Sequence, residues 1–243
     1  MKHLSVLALL SLFLPVMLHA QSEEVVRPIR LGPSINLNGS MNTADYHVSG
    51  AERSVGLGSM FGIVADVPLS SDISLYGSLG YYTQSFEDVN ELLDVNPNSD
   101  TDNANDIKFP DGASLTTAGS VNYLAIGTMV KFTSFFVGFQ FGLPMSISLK
   151  NTASGISIPQ KHGQFELNED ISPETSDLNL LVEARIGGDF QIMSTSSGDL
   201  HFSISGAYPL TTIKDSAVGS LPRLDDNFRM PSIQAGLSFL FAL

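Results

Sequence analysis

Three groups of residues have types and spacing that could carry chemistry, and the first lies in "DLNLLVEARIGGDFQIM", residues 177–193. This segment is mostly apolar but holds Glu183, Arg185 and Asp189. Charged side chains are costly to bury unless they are paired or reach water. The segment therefore predicts a catalytic cluster, a core ion pair or a polar face of another kind.

The second group is a histidine and a serine two residues apart, His201 and Ser203. Nucleophilic catalysis needs a base beside the hydroxyl and an acid that orients the base. Asp215 is a candidate for that acid. The alternative interpretation is a histidine that hydrogen-bonds near Asp189 and takes no part in catalysis.

The third group is the acidic stretch "DVNPNSDTDNAND", residues 94–106. Oxygen ligands at alternate positions are typical of calcium loops, although the glycine and the terminal Glu of an EF-hand are absent. The other interpretation is a solvated loop rich in Asn and Asp. The candidate calcium ligands are Asp94, Asn96, Asn98, Asp100 and Asp102.

Composition narrows the classes of protein that these groups can belong to. The chain has 243 residues, a formal net charge of −13, only 15% charged residues and no cysteine. The negative charge opposes nonspecific binding to nucleic acid. The absence of cysteine excludes both a disulfide framework and a lipoprotein anchor. No cofactor is predicted.

Residues 1–20 are predicted to be a secretory signal peptide. Lys2 precedes an apolar run from Leu4 to Leu18, and a plausible cleavage site follows before Gln21. Loss of Lys2 would make the net charge of the mature chain −14. No later apolar run approaches the 18 or so residues of a transmembrane helix. We expect residues 21–243 to form one domain.

Apolar and small polar residues alternate along the mature chain, and this period of two predicts β-strands with two different faces. In residues 177–193 the three charges in the middle of the segment, Glu183, Arg185 and Asp189, all fall on one face. In residues 121–132 the pattern is ambiguous, and we assign the even positions to the apolar face because this keeps Lys131 on the polar face. The eight predicted strands cover about 29–37, 55–69, 73–81, 121–132, 135–147, 177–193, 200–210 and 232–243.

The predicted connections alternate strictly between short and long. The short ones are 68–72, 133–134 and 194–199, and the long ones are about 39–54, 86–116, 149–176 and 211–230. Outer-membrane barrels have short periplasmic turns and long outer loops. Because proline removes a ladder donor, we expect bulges or strand ends at Pro33, Pro144 and Pro209.

The polar face carries few Lys or Glu residues, whereas a solvated outer face is normally densely charged. The apolar face is too bulky for the interior of an eight-stranded barrel. We therefore predict a transmembrane β-barrel with the apolar face towards lipid and the polar face lining the lumen. The predicted charged and polar lumen residues are Arg30, Asp66, Lys131, Glu183, Arg185, Asp189 and His201.

The six lumen charges comprise three of each sign, which favours a closed interior over a selective channel with a ring of one sign. We expect Arg30 to pair with Asp66 near the periplasmic end, and Asp189 to lie close to His201. The aromatic residues could form a ligand shelf, but we favour girdle or lipid-facing positions. These residues are Tyr81, Tyr82, Phe86, Phe135, Phe136, Tyr208, Phe239 and Phe241.

A resemblance to known proteins rests on "GLGSMFGIVADVPLSSDISLYGSLGYYTQ" and "VNYLAIGTMVKF". These segments resemble PorT-like outer-membrane barrels of Bacteroidetes-type bacteria and, more broadly, OmpA/OmpX-type eight-stranded barrels, over nearly the whole mature chain. The C-terminal "GLSFLFAL" is similar to the final strand that barrel-assembly machinery recognises. The pair His201 and Ser203 is similar to that of outer-membrane lipid A deacylases, but the predicted topology puts Asp215 a membrane thickness away.

We therefore expect a non-enzymatic outer-membrane protein of a Gram-negative bacterium that supports the envelope or presents its outer loops to a partner. The alternatives are a small-solute pore, a lipid A-modifying enzyme and a soluble ligand-binding barrel. Expected partners are outer-membrane lipid and lipopolysaccharide, the barrel-assembly machinery, and an extracellular partner at loops 86–116 and 149–176. Loop 86–116 holds eight acids against Lys108, half of the mature net charge: Glu87, Asp88, Glu91, Asp94, Asp100, Asp102, Asp106 and Asp111.

Overall fold

The computed structural model describes residues 27–43, 51–91, 113–154, 161–162, 165–166, 169–171, 175, 178–213 and 229–243. The predicted signal peptide, the predicted calcium stretch, Asp215 and parts of all four predicted long loops lie outside these residues. The described strands are β1 (Arg30–Ser40), β2 (Ala51–Ser54), β3 (Gly56–Pro68), β4 (Ile73–Glu91), β5 (Ser114–Phe132), β6 (Phe135–Ser154), β7 (Lys161–His162), β8 (Phe165–Glu166), β9 (Glu169–Ile171), β10 (Leu181–Thr195), β11 (Gly198–Pro209) and β12 (Ser232–Ala242).

Eight of the described strands form a closed antiparallel ring in the order β1, β3, β4, β5, β6, β10, β11 and β12. The last strand pairs with the first, so that Arg30 lies opposite Ala242 and Ser40 opposite Ser232. Each ring strand pairs with its neighbours along the chain. The predicted fold, an eight-stranded up-and-down barrel, is therefore confirmed.

The strands are staggered around the ring, which tilts them against the barrel axis. When the strand pairing is followed from Arg30 around the ring, strand by strand, it arrives at Ser232 on β12. Arg30 itself pairs directly with Ala242, which lies ten residues further along β12. Side chains from distant strands therefore meet inside the barrel. We call the end with the short connections at 69–72, 133–134 and 196–197 the turn end, and the opposite end the loop end.

The apolar residues lie on the outside of the barrel and the polar residues on the inside. In β10, Ile186 is 67% exposed whereas Glu183 is completely buried. In β5, Leu124 and Phe132 are exposed and Lys131 is buried, which confirms the assignment of the even positions to the outer face. A soluble barrel has the reverse arrangement, so the geometry is that of a transmembrane barrel. No helix in the described part of the chain is long and apolar enough to span a membrane.

A bulge in β6 corrects one predicted face. Asn122 lies opposite Ser146 and Tyr123 opposite Pro144, which leaves Met145 as the extra residue. The alternation changes phase there, so Ile147, predicted to face lipid, is only 4% exposed inside the barrel. Proline thus coincides with a bulge at Pro144, as expected.

The other two internal prolines behave differently. Pro209 is the last residue of β11, as predicted. Pro33 lies inside β1, opposite Ile63, and the register between β1 and β3 continues on both sides of it. The expectation of a bulge or strand end at Pro33 is therefore wrong. The ladder on the other side of β1 also keeps one register before and after Pro33.

Three strands are longer than predicted. β4, β5 and β6 contain 19, 19 and 20 residues, against 11 residues in β1 and β12. Their extra residues come from both ends of the predicted loop 86–116, from the beginning of the predicted loop 149–176, and from the short segments 82–85, 117–120 and 148 beside these loops. The hairpins therefore continue past the loop ends of the other ring strands. This forms a wall on one side of the barrel.

The turn between β5 and β6 generates a prediction about stability. Thr133 has φ of +56° in a two-residue hairpin connection. Glycine is preferred at such a position, and a β-branched residue is strained there. We expect Thr133→Gly to raise the free energy of unfolding by about 1 kcal/mol. Urea unfolding in lipid vesicles, followed by circular dichroism, measures this. Ser134→Gly is the control, and an equal gain in that variant would contradict the explanation.

Candidate functional site: the filled lumen

Glycines on the inner face make room for the aromatic side chains in the barrel. A Cβ atom at Gly119 would lie 2.4 Å from the ring of Phe86, and one at Gly142 would lie 3.2 Å from both Tyr123 and Leu181. The interior of an eight-stranded barrel is only just wide enough for side chains. Glycine at one inward position therefore lets a large neighbour occupy the space in front of it.

The first polar layer is a turn-end cluster of Arg30, Asp66, Lys131, Asp189, Asp199 and His201. Lys131 stands at its centre and is 4% exposed. Its Nζ donates hydrogen bonds to Oδ2 of Asp66 at 3.1 Å and to Oδ2 of Asp189. The same Asp189 oxygen lies 2.9 Å from Nδ1 of His201. One ammonium group therefore bridges two carboxylates from strands that are not neighbours.

Arg30 completes the turn-end cluster at its more exposed side. Its Nη1 donates to Oδ2 of Asp199 at 2.9 Å, whereas its Nη2 is 4.0 Å from Asp66. The structure thus brings Arg30 and Asp66 near each other but gives each a closer partner. Sequence reasoning missed Asp199 because the residue was assigned to a turn. Asp199 is an even number of residues from His201, so the alternation along β11 places both side chains on the inner face and could have identified Asp199.

The second polar layer is a mid-barrel cluster formed by Glu183, Arg185, Gln84, Gln140, Tyr82 and Gln234. Glu183 accepts hydrogen bonds from Nε2 of Gln84 at 2.8 Å and from Nε2 of Gln140 at 3.4 Å. Nε of Arg185 lies 3.6 Å from the carboxylate of Glu183. Two amide groups therefore donate hydrogen bonds to a carboxylate that is fully shielded from water, and the guanidinium adds a nearby opposite charge without a hydrogen bond from Nε.

Tyr82 of β4 connects the mid-barrel cluster to β12 across the lumen. Its hydroxyl accepts hydrogen bonds from Nε2 of Gln84 at 2.9 Å and Nε2 of Gln234 at 3.0 Å. The guanidinium of Arg185 lies 5.7 Å from the centre of the Tyr82 ring, within the range of a cation–π contact. The glutamines were missed from the sequence, since only charged residues and histidine were considered. They lie at the alternate positions whose side chains point into the barrel, and this would have identified them.

Three of the aromatic residues predicted to face lipid lie inside the barrel instead. Tyr82, Phe86 and Phe136 are almost completely buried. All three occupy even positions of β4 or of β6 before its bulge, and those positions point inward. Phe136 stacks on Tyr76 with 5.7 Å between the ring centres. Of the other five, Tyr81, Phe135, Tyr208 and Phe241 are exposed on the outer face and Phe239 is half-buried.

Apolar side chains fill the lumen next to the two polar layers. The smaller apolar cluster comprises Val64, Tyr76, Met129, Phe136 and Leu240. The larger one extends to the loop end and comprises Met60, Tyr82, Phe86, Val121, Tyr123, Ala125, Ile147, Leu149, Leu178, Leu181, Ile213 and Met230. A water-filled channel would expose the side chains that line it. Here the residues of both apolar clusters are at most 5% exposed.

The candidate catalytic pair is also enclosed. His201 is buried and is held by Asp189, while the hydroxyl of Ser203 donates to Oδ1 of Asn36 at 3.3 Å. Both side chains belong to the inner face of β11, where a membrane lipid has no access. Asp215 lies outside the described residues. No group of three or more potential metal ligands occurs among the described residues, and the predicted calcium ligands are not among them.

Comparisons with known proteins give remote likenesses only. No protein-family model matches the chain, and no curated protein matches its sequence. Among solved structures it is similar to Ail, the attachment invasion locus protein of Yersinia pestis, at 13% identity and a TM-score of 0.40, over 88% of this chain and 99% of that one. The outer membrane protease OmpT from Escherichia coli is similar at 7% identity and a TM-score of 0.38, over 91% of this chain and 100% of that one. The outer membrane protein OprG from Pseudomonas aeruginosa is similar at 11% identity and a TM-score of 0.29, over 90% of this chain and 98% of that one.

The position of Lys131 predicts a large loss of stability when its charge is removed. Lys131→Met leaves Asp66 and Asp189 buried without their shared cation, which is expected to cost about 3–5 kcal/mol in the free energy of unfolding. Arg30→Gln is the control, because Arg30 pairs with Asp199 near water and should cost about 1 kcal/mol or less. Urea unfolding in vesicles compares the two. Equal losses would contradict a central role for Lys131.

An inward glycine, Gly138, and an outward one, Gly206, predict a second contrast. A Cβ atom at Gly138 would lie 2.3 Å from the carbonyl oxygen of Thr128, whereas one at Gly206 would meet no atom within 4 Å. Gly138→Ala should destabilise the barrel by about 2 kcal/mol. Gly206→Ala should change the free energy of unfolding by about 0.5 kcal/mol or less. The same unfolding experiment tests both variants. A Gly138→Ala variant as stable as the original would contradict the prediction, because it would show that the neighbouring strand can move away from the added methyl group.

Proposed function

We propose that the protein is a non-conducting, non-enzymatic barrel of a Gram-negative outer membrane that presents its outer loops from extended strands. The observation that supports this most strongly is the burial of Lys131, Asp66 and Asp189 inside the lumen. Side chains shielded from water on a lumen face belong to a packed core. The barrel interior then serves stability, and binding is left to the loop end.

A pore would require this core to open. Lys131 would have to leave two carboxylates, and Glu183 would have to leave the glutamines that donate to it. Breaking one buried charge pair costs about 3–5 kcal/mol. Conduction also requires sites that an ion can enter and leave easily. The cross-linked turn-end cluster offers no such site, because it mixes three carboxylates with two cations and a histidine and presents no ring of one sign.

The remaining alternatives fit the geometry less well. A soluble ligand-binding barrel would expose its polar face, whereas here Leu57 and Ile186 are among the most exposed side chains. A lipid A-modifying enzyme would need a nucleophile and a base that face lipid. In the described residues His201 faces the lumen and is bonded to Asp189. The histidine is therefore proposed to be structural.

The topology supports an orientation in the membrane. Short turns are typical of the periplasmic side and long connections of the outer side, so the turn end is proposed to face the periplasm. The wall formed by β4, β5 and β6 then rises outwards. From Thr83 to Glu91, β4 continues for about 25 Å along the strand. The final segment "GLSFLFAL" is proposed to be recognised by the barrel-assembly machinery.

The outer loops are the proposed contact with an extracellular partner, since loops on a rigid scaffold carry specificity. Loops 86–116 and 149–176 are the longest, and the first is strongly acidic. Glu87 and Asp88 of that predicted loop belong to β4, which gives them a fixed base. Binding of calcium by Asp94, Asn96, Asn98, Asp100 and Asp102 stays a prediction, as does a divalent bridge from this loop to lipopolysaccharide.

Localisation and conductance test the proposal together. The full chain should fractionate with the outer membrane and migrate faster on gels before heating than after it. Reconstituted in planar bilayers, the folded protein should give no conductance steps, because the lumen is closed by packed side chains. A porin in the same bilayers is the positive control. Regular conductance steps from folded protein would contradict the closed barrel, and a soluble periplasmic location would contradict the membrane assignment.

A further inference from the structure

The outer face of the wall changes abruptly from apolar to hydroxyl-bearing side chains. The last large apolar residues on this face include Tyr81 and Leu124, both exposed. The next outward residues are Thr83, Asn122 and Ser146 on β4, β5 and β6. Oγ1 of Thr83 donates to Oδ1 of Asn122 at 2.7 Å, and Nδ2 of Asn122 donates to Oγ of Ser146 at 2.8 Å. This polar ladder ends the apolar band.

Further hydroxyl rows follow beyond the ladder. Ser85, Ser120 and Ser148 lie opposite one another across the three strands, and a later row consists of Val89, Thr116 and Thr152. The residues between these rows point inward and are buried, among them Phe86, Ile147 and Leu149. We call the outer surface the hydroxyl face and define it by Thr83, Ser85, Thr116, Ser120, Asn122, Ser146, Ser148 and Thr152, crossed by a row of Glu87, Ala118 and Lys150.

The hydroxyl face occurs on one side of the barrel. Elsewhere on the barrel, exposed apolar residues lie near the loop ends of the ring strands: Leu37 of β1, Leu57 of β3 and Ile233 of β12 are 67%, 81% and 68% exposed. On β3, one outward hydroxyl, Ser59, lies opposite Thr83. The strands β4, β5 and β6 continue from the lipid-facing band into the layer above it, where β2 pairs with β4 and β9 with β6. In an outer membrane that layer consists of the head groups of the outer leaflet.

The chemistry of the hydroxyl face selects among possible occupants. A face in free water is normally densely charged, but this one has two charged side chains, Glu87 and Lys150, and Asp170 of β9 lies opposite Lys150 in the ladder. A protein partner would favour aromatic and arginine anchors, and the hydroxyl face as defined has neither. Side chains that both donate and accept hydrogen bonds match sugar hydroxyls. Lys150 adds one exposed ammonium group of the kind that binds phosphate.

We propose that the hydroxyl face binds the phosphorylated saccharide head group of lipopolysaccharide in the outer leaflet, with Lys150 at a phosphate. This rests on the proposed outer-membrane location. The acyl chains would lie against the apolar band below, so that one glycolipid contacts the same three strands in both layers. The wall is thereby held upright by the lipid on its outer side and by the apolar cluster on its inner side.

Purified full-length protein in zwitterionic detergent tests the hydroxyl face. Lipopolysaccharide, or phosphatidylglycerol at matched charge, is added, and the temperature at which the compact gel form is lost is measured. A ligand that binds only the folded state raises this temperature. We expect lipopolysaccharide to raise it more than phosphatidylglycerol. The extra rise should fall by about half or more in Lys150→Glu and in the double variant Ser120→Leu/Ser148→Leu.

Matched substitutions at the turn end are the controls. Arg27→Glu reverses a charge there, and Ser71→Leu/Ser196→Leu removes two hydroxyls from short connections. Both should keep the full effect of lipopolysaccharide. If a leucine variant does not fold, Lys150→Gln carries the test alone. An unchanged effect in the hydroxyl-face variants overturns the proposal, and so does an equal effect of phosphatidylglycerol, which indicates charge alone.

The two proposals fail in different experiments. A chain that does not fractionate with the outer membrane refutes the proposed function, whatever lipid it binds in detergent. A chain in the outer membrane whose lipopolysaccharide response ignores the hydroxyl face refutes only the binding surface. Capture of an extracellular protein that competes with lipopolysaccharide and requires Lys150 would also overturn the surface assignment, because it would make the occupant a protein.

Discussion

The narrow interior of an eight-stranded barrel is the constraint on which the rest of this structure depends. Some buried atoms, such as Oε1 of Gln84 and Nη2 of Arg185, have no hydrogen-bond partner among the described residues, but an interior this narrow requires most inward polar groups to bond to other side chains. Lys131 meets this requirement for two carboxylates at once. Gln84 and Gln140 meet it for Glu183. The inner face is therefore a core, although it is made largely of polar residues.

The same constraint explains why the outside is so uniform and the inside so varied. In the apolar band on the outside, any apolar side chain suits lipid, whereas hydrogen bonds between specific partners are made above it, in the ladder of Thr83, Asn122 and Ser146. On the inside, each large residue needs a small one before it, as Phe86 needs Gly119 and Tyr123 needs Gly142. The barrel thus combines a tolerant outer face with an inner face that is packed as closely as a soluble core.

The period of two was sufficient to predict the barrel and its strand number, because lipid imposes one chemistry on every second position. It was insufficient wherever the period shifts. One extra residue at Met145 moves Ile147 from lipid to the interior, and a proline alone does not predict this, since Pro33 causes no shift. The ion-pair partners of the inward residues could not be predicted from the sequence either. Arg30 lies near Asp66 as expected but pairs more closely with Asp199, because the tilt of the strands decides which inward residues meet.

The distribution of the buried charges also bears on how the ring closes. The turn-end cluster takes Arg30 from β1, Asp66 from β3, Lys131 from β5 and Asp189 from β10, and His201 joins from β11. No hairpin contains a complete set, because Lys131 and its two carboxylates lie on three strands that are not adjacent. A partly formed sheet would leave these charges in water or unpaired. The charges therefore contribute fully only once the ring has closed, which makes closure of the barrel and burial of the cluster one cooperative event.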